Sequence, residues 1–166
     1  MTVCIDYKIS VNQLKILIDA GADAHFYNEK AFINQCSHGD KDVILYFILK
    51  CACNVNACKS IALTKAIYSE QYDVAKILIE SNINVTENAI VESFNHDKKY
   101  FDLLLNNYVL DYEHIAKLFF SMLVNNKISH SKKINLKIIK DLIMCHGVNF
   151  NEIIINNTWS KIHANL

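Results

Sequence analysis

One arrangement of residues recurs along this chain. Leu17-Ile18, Ile48-Leu49, Leu78-Ile79 and Leu104-Leu105 lie 31, 30 and 26 residues apart. The first three belong to runs of the same pattern: QLKILIDAGADA from Gln13, DVILYFILKCACNV from Asp42 and DVAKILIESNINV from Asp73. Within a run the apolar positions follow helical spacing, as in Val74, Ile77 and Leu78, with Leu63 and Ile67 in the segment before. That periodicity predicts amphipathic helices, not strands. Each period then holds two short helices, the first at about 30–37, 60–69, 88–95 and 114–124, the second at about 11–20, 41–50, 72–81, 99–106 and 135–145. A period near 30 with two helices per unit is the signature of an α-solenoid, in which no unit buries its apolar face alone and neighbours must stack. The predicted fold is therefore all-α, one domain of about five stacked helix-turn-helix repeats over 1–27, 28–57, 58–86, 87–112 and 113–151, closed by a helical cap over 152–166.

The punctuation between helices narrows the family. AGAD at Ala20 to Asp23 follows a second helix, and Cys51-Ala52-Cys53-Asn54, Ser81-Asn82-Ile83-Asn84 and His146-Gly147-Val148-Asn149 read as eroded copies of it. Asn54-Val55-Asn56 extends one copy, and Ser37-His38-Gly39-Asp40 forms a turn after a first helix. In these residues the chain resembles the ankyrin-repeat family, with its AGAD turn, its D-V-N extension and its x-x-G-H turn. The family's T-P-L-H tetrapeptide survives only faintly, as Ile61-Ala62-Leu63-Thr64, and the link from Asn54 to Ile61 is short, so stunted hairpin fingers are expected. Gly21, Gly39 and Gly147 occupy post-helix slots where a positive φ is needed. Asn82 suits the same slot, while Ala52 and Tyr108 suit it poorly, so distorted turns are expected there. Asn- and Ile-rich units of this eroded kind are most similar to those of large DNA viruses.

The resemblance implies a non-catalytic module that binds a protein partner through the concave surface made by the first helices. Carried onto this chain, the family's exposed slots are Asn34, Ser37 and His38 in the second unit, Lys65, Tyr68 and Ser69 in the third, and Glu92, Asn95 and His96 in the fourth. The alternative is a structural subunit that stacks on itself or on a larger assembly. Only ten residues precede the first recognisable second helix, so the first unit reads as incomplete and in need of a cover.

Charge excludes other partners. Basic and acidic residues balance at 17 each, and every basic residue is Lys, so there is neither a positive field for nucleic acid nor the guanidinium fork that grips phosphate. With no apolar run of membrane-spanning length and no basic-then-apolar leader, the sequence reads as that of an intracellular protein with no membrane partner.

The six cysteines, Cys4, Cys36, Cys51, Cys53, Cys58 and Cys145, lack the paired knuckles of a structural zinc site, and the sequence predicts neither metal nor cofactor. They are expected as free thiols, Cys36 in the core. Catalysis is not expected. Cys36 and His38 stand two apart, on diverging sides of a helix, and Asp40 and Asp42 read as ordinary first-turn acids. No phosphate-binding, zincin or nucleophile-elbow motif is present. Two segments fit no repeat: the link 125–135, with Lys127, His130, Lys132 and Lys133, is expected as a surface insertion, the alternative being a basic hook or a modifiable loop, and the tail with Trp159 as the cap, the alternative being a docking helix for a partner.

Overall fold

The computed structural model describes residues 7–108, together with Asp111, Met144, Gly147, Asn149 and Asn151. The repeat at 113–151, the link 125–135, the cap at 152–166 and Cys4 and Cys145 fall wholly or almost wholly outside the described residues. Among the described residues there are seven helices and no strand: α1 Val11–Asp19, α2 Phe26–Gln35, α3 Lys41–Leu49, α4 Ala57–Tyr68, α5 Tyr72–Glu80, α6 Glu87–Phe94 and α7 Lys98–Asn107. The all-α repeat architecture read from the sequence is the one observed.

Helix starts follow from local chemistry. Ser10 caps α1 through its Oγ, which accepts from the Gln13 N–H, while the Gln13 side chain returns to the Ser10 N–H at 2.8 Å. Asp40 caps α3 by accepting from Asp42 and Val43, and Asp97 caps α7. Each such cap satisfies N–H groups that the first helical turn leaves without a partner.

The chain divides into two compact units, Met1–Glu92 and Ser93–Leu166. In the first, the helices pack as two rows. First helices α2 and α4 lie against each other, second helices α1, α3 and α5 form a parallel row, and α2–α3 and α4–α5 close as hairpins. Between the rows Phe32 meets Phe47 edge-on at 6.0 Å, and Leu14, Ile44, Leu63, Ile67, Val74 and Leu78 are fully buried. Burying such a side chain contributes about 1.5–3 kcal/mol, and each helix reaches that burial only through its neighbours. In the second unit α7 buries Tyr100, Phe101, Leu103 and Leu104, and Phe94 packs on Phe101 at 5.4 Å.

The turns reproduce the repeat in backbone terms. Gly21, Gly39 and Gly147 all have positive φ, at 84°, 78° and 63°. Asn82 takes the left-handed conformation in the slot of Gly21, and Glu70 takes it in the slot of Gly39. Ala52 also enters that region, but its turn is distorted. Ala22 and Ile83 donate to carbonyls five residues back, at Leu17 and Leu78, whereas Cys53 donates to Phe47, six back. Tyr108 abandons the conformation altogether, at φ −132° and ψ 144°.

In place of a T-P-L-H start, α2 and α4 each pass, after their first residue, through three left-handed residues, Tyr27-Asn28-Glu29 and Cys58-Lys59-Ser60, and are right-handed from Lys30 and Ile61. Such residues cost roughly 1–2 kcal/mol each. Buried polar ties hold the two turns: Ser60 Oγ donates to Asn56 Oδ1 at 2.9 Å, and the Glu29 carboxylate accepts from the Asn54 N–H at 3.1 Å.

Candidate interaction surface

The helical register decides which side chains α2 and α4 can offer. Ala31, Phe32, Gln35 and Cys36 on one helix, and Ala62, Leu63, Ala66 and Ile67 on the other, turn inward and are buried. What remains on the outside includes Asn34 and Lys65, half-buried and 31 residues apart in sequence. Lys65 Nζ donates to Asn34 Oδ1 at 3.0 Å, so these two predicted residues form a bridge between successive repeats. Ser37 and His38 occupy the turn after α2, and Ser69 the turn after α4, all half-buried. Tyr68, at the end of α4, is 64% exposed. Glu92 is half-buried on α6. Asn95 and His96 follow α6 in the second compact unit, also half-buried, and the His96 ring stands edge-on to Tyr100 at 6.2 Å.

Beside the Asn34–Lys65 bridge lies an open hollow of about 190 Å³, lined by Tyr27, Ile33, Asn34, Ile61 and Lys65 among others. Tyr27 is 74% exposed and Ile61 41%. Sequence reasoning passed over both. Tyr27 precedes the helical register, and Ile61 stands where the family pattern has its capping Thr. Tyr27 lies in one left-handed turn, and Ile61 directly follows the other.

A second group of polar side chains lies where the turn after α1 meets the turn after α3. His25 Nδ1 and Glu29 Oε1 are 2.9 Å apart, and the same oxygen accepts from the Asn54 N–H. Burial pushes the Glu29 carboxyl up, and the hydrogen bonds from His25 and Asn54, with the Cys53 thiol beside it, more than reverse this, so it stays below the usual carboxylate value. The same Glu29 bond raises the His25 imidazole against the lowering effect of burial. Burial pushes the Cys53 thiol well up, and the Glu29 charge adds to that. Cys36, Cys51, Cys53 and Cys58 are free, and Cys36 is completely buried, its thiol also raised by desolvation.

Two rows of short helices, paired as hairpins and joined by left-handed turns every thirty residues or so, define an α-helical repeat protein. Residues 2–89 match the model of ankyrin repeats in three copies, just over half of the chain, and the protein belongs to the ankyrin-repeat family. Searches of curated proteins and of solved structures found no match. Ankyrin repeats are generally non-catalytic protein-interaction modules. No helix among the described residues is long and apolar enough to cross a membrane.

Proposed function

We propose that this chain is a non-catalytic adaptor that binds a protein partner through the outer surface of its first helices, using Asn34, Ser37, His38, Lys65, Tyr68, Ser69 and Glu92 in the first compact unit, and that Asn95 and His96 serve as binding residues of the second unit by itself. The observation that carries this reading is Tyr68: an aromatic ring 64% exposed, on the same face as the Lys65–Asn34 bridge and the hollow floored by Ile33 and Ile61. Exposed aromatic anchors next to apolar hollows are where binding energy concentrates in protein interfaces. The Lys-only, Asn- and Ile-rich units support an origin of the kind found in large DNA viruses, with action inside the host cell.

A partner recovered by affinity capture from the native cell provides the test. Tyr68→Ala should weaken its binding tenfold or more while melting stays within about 0.5 kcal/mol of wild type. His96→Ala, measured separately because it lies in the second compact unit and its ring packs on Tyr100, should weaken binding by that unit. Unchanged affinity in a normally folded Tyr68→Ala protein would place the binding surface elsewhere. A collapse of folding would mean that Tyr68 belongs to the core.

A second reading, a structural subunit that stacks on itself, is favoured by the flank of α1. There Ile16 is 67% exposed beside Tyr7 at 66%, and both line a hollow of about 190 Å³ with Ile9 and Leu17.

A further inference from the structure

We propose that His25, Glu29 and Cys53 form a binding site for one divalent transition-metal ion, Zn²⁺ by the nature of the donors, at the meeting of the turns after α1 and α3. The three side chains each bring one ligand atom to within 4.8 Å of the others. Imidazole nitrogen, carboxylate oxygen and thiolate sulfur are the three donor types that zinc takes, at about 2.0–2.3 Å, which sets ligand atoms roughly 3.3–3.8 Å apart around a tetrahedral ion. The His25–Glu29 pair, a hydrogen bond at 2.9 Å, needs to open by only about 0.5 Å when an ion replaces the proton between them. Closing the remaining gap takes a movement of about 1 Å. His25 can supply it, since its side chain is 53% exposed in a turn.

A buried atom points independently to a ligand. Glu29 is only 6% exposed, and its Oε2 is sealed from solvent with no hydrogen-bond partner among the described residues. A carboxylate oxygen left this way costs free energy unless a donor such as the neighbouring Cys53 thiol, a water or a cation takes it up, and a cation would satisfy the thiolate as well.

The next repeat shows that the fold does not require these groups. One period on, the slots of His25, Glu29 and Cys53 are filled by Asn56, Ser60 and Ile83. That repeat makes the same tie between turns with neutral side chains: Asn56 Oδ1 accepts from the Asn84 N–H at 2.7 Å and from Ser60 Oγ at 2.9 Å. Three neutral residues are thus exchanged together for three metal-ligand types, in one repeat and at one point in space. His25 and Glu29 also line an open polar hollow of about 510 Å³, which admits the ion and leaves a fourth position to water. Binding displaces the proton between His25 and Glu29 and the thiol proton of Cys53, so affinity rises with pH. The bound ion would pin two successive turns of the stack.

The test uses the full chain, freed of metal by chelator and dialysed, with Zn²⁺ alone as the probe and Co²⁺ as its spectroscopic substitute. One Zn²⁺ per chain, a raised melting temperature, and a cobalt spectrum with charge transfer from a single thiolate are expected. Cys53→Val, which copies the apolar slot of the next repeat, should abolish that thiolate band. His25→Gln, at an exposed position that does not threaten folding, should weaken zinc at least about tenfold. Absence of zinc binding in the wild-type chain overturns the proposal. So does binding that His25→Gln leaves unchanged, which would assign the ion to the remaining thiols.

Discussion

Leu78 has no exposed surface, and its helix, α5, packs against both α3 and α4. Truncation there removes contacts from two repeats at once. Leu78→Ala should cost about 2–5 kcal/mol, read as a lowered denaturation midpoint. An unchanged midpoint would refute the register. The cysteines divide by the same logic. Cys36 is wholly buried with its thiol raised, whereas Cys58 is exposed, so a thiol reagent should modify Cys58 at once and Cys36 only when denaturant opens the core. Equal rates for the two would contradict the burial. At this scale the sequence was a good guide to the inside, since helical spacing alone places Leu63, Ile67 and Leu78 in the core. It was a poorer guide to the outside, where Tyr27 lies in, and Ile61 directly after, left-handed backbone that no periodicity encodes.

At the scale of the element, successive repeats are tied by side chains reaching from one turn to the backbone of the next, Glu29 to Asn54 and Asn56 to Asn84. Only the first tie ionises. His25 is raised in the folded state, so its contribution is complete below its unfolded value of about 6.5 and is lost as pH rises through the folded value. Glu29 is lowered, so its contribution is complete above about 4.3 and is lost as pH falls through its folded value. Asp23 and Cys51 also face His25; Asp23 favours the charged imidazole, and the Cys51 backbone adds a hydrogen bond. In metal-free protein, the melting-temperature advantage of wild type over His25→Gln should therefore be greatest near pH 5.5 and shrink toward pH 8. An advantage that stays flat across this range would remove the ion pair from the account. The positions of the turns were legible, because Gly21, Gly39 and Asn82 stand where a positive φ is needed. The slipped hydrogen bond at Ala52–Cys53 was expected only as distortion; that Cys53 donates to the Phe47 carbonyl is seen only in the structure.

For the whole molecule, the two readings of function separate by mass. Light scattering over a range of concentrations should give a monomer if the first-helix surface serves a different protein. A mass that grows with concentration, and falls back on Ile16→Lys, would instead assign the α1 flank to self-stacking. The sequence by itself determined the class of fold, because the spacing of apolar residues and the placing of three glycines are local properties repeated every thirty residues, and repetition makes a weak local signal strong. Only tertiary structure decided which atoms from different repeats meet. Lys65 reaches Asn34 across 31 residues, and His25, Glu29 and Cys53 converge from two turns. Such meetings depend on how one helix pair stacks on the next, a sum of many small packing contacts that no single stretch of sequence contains.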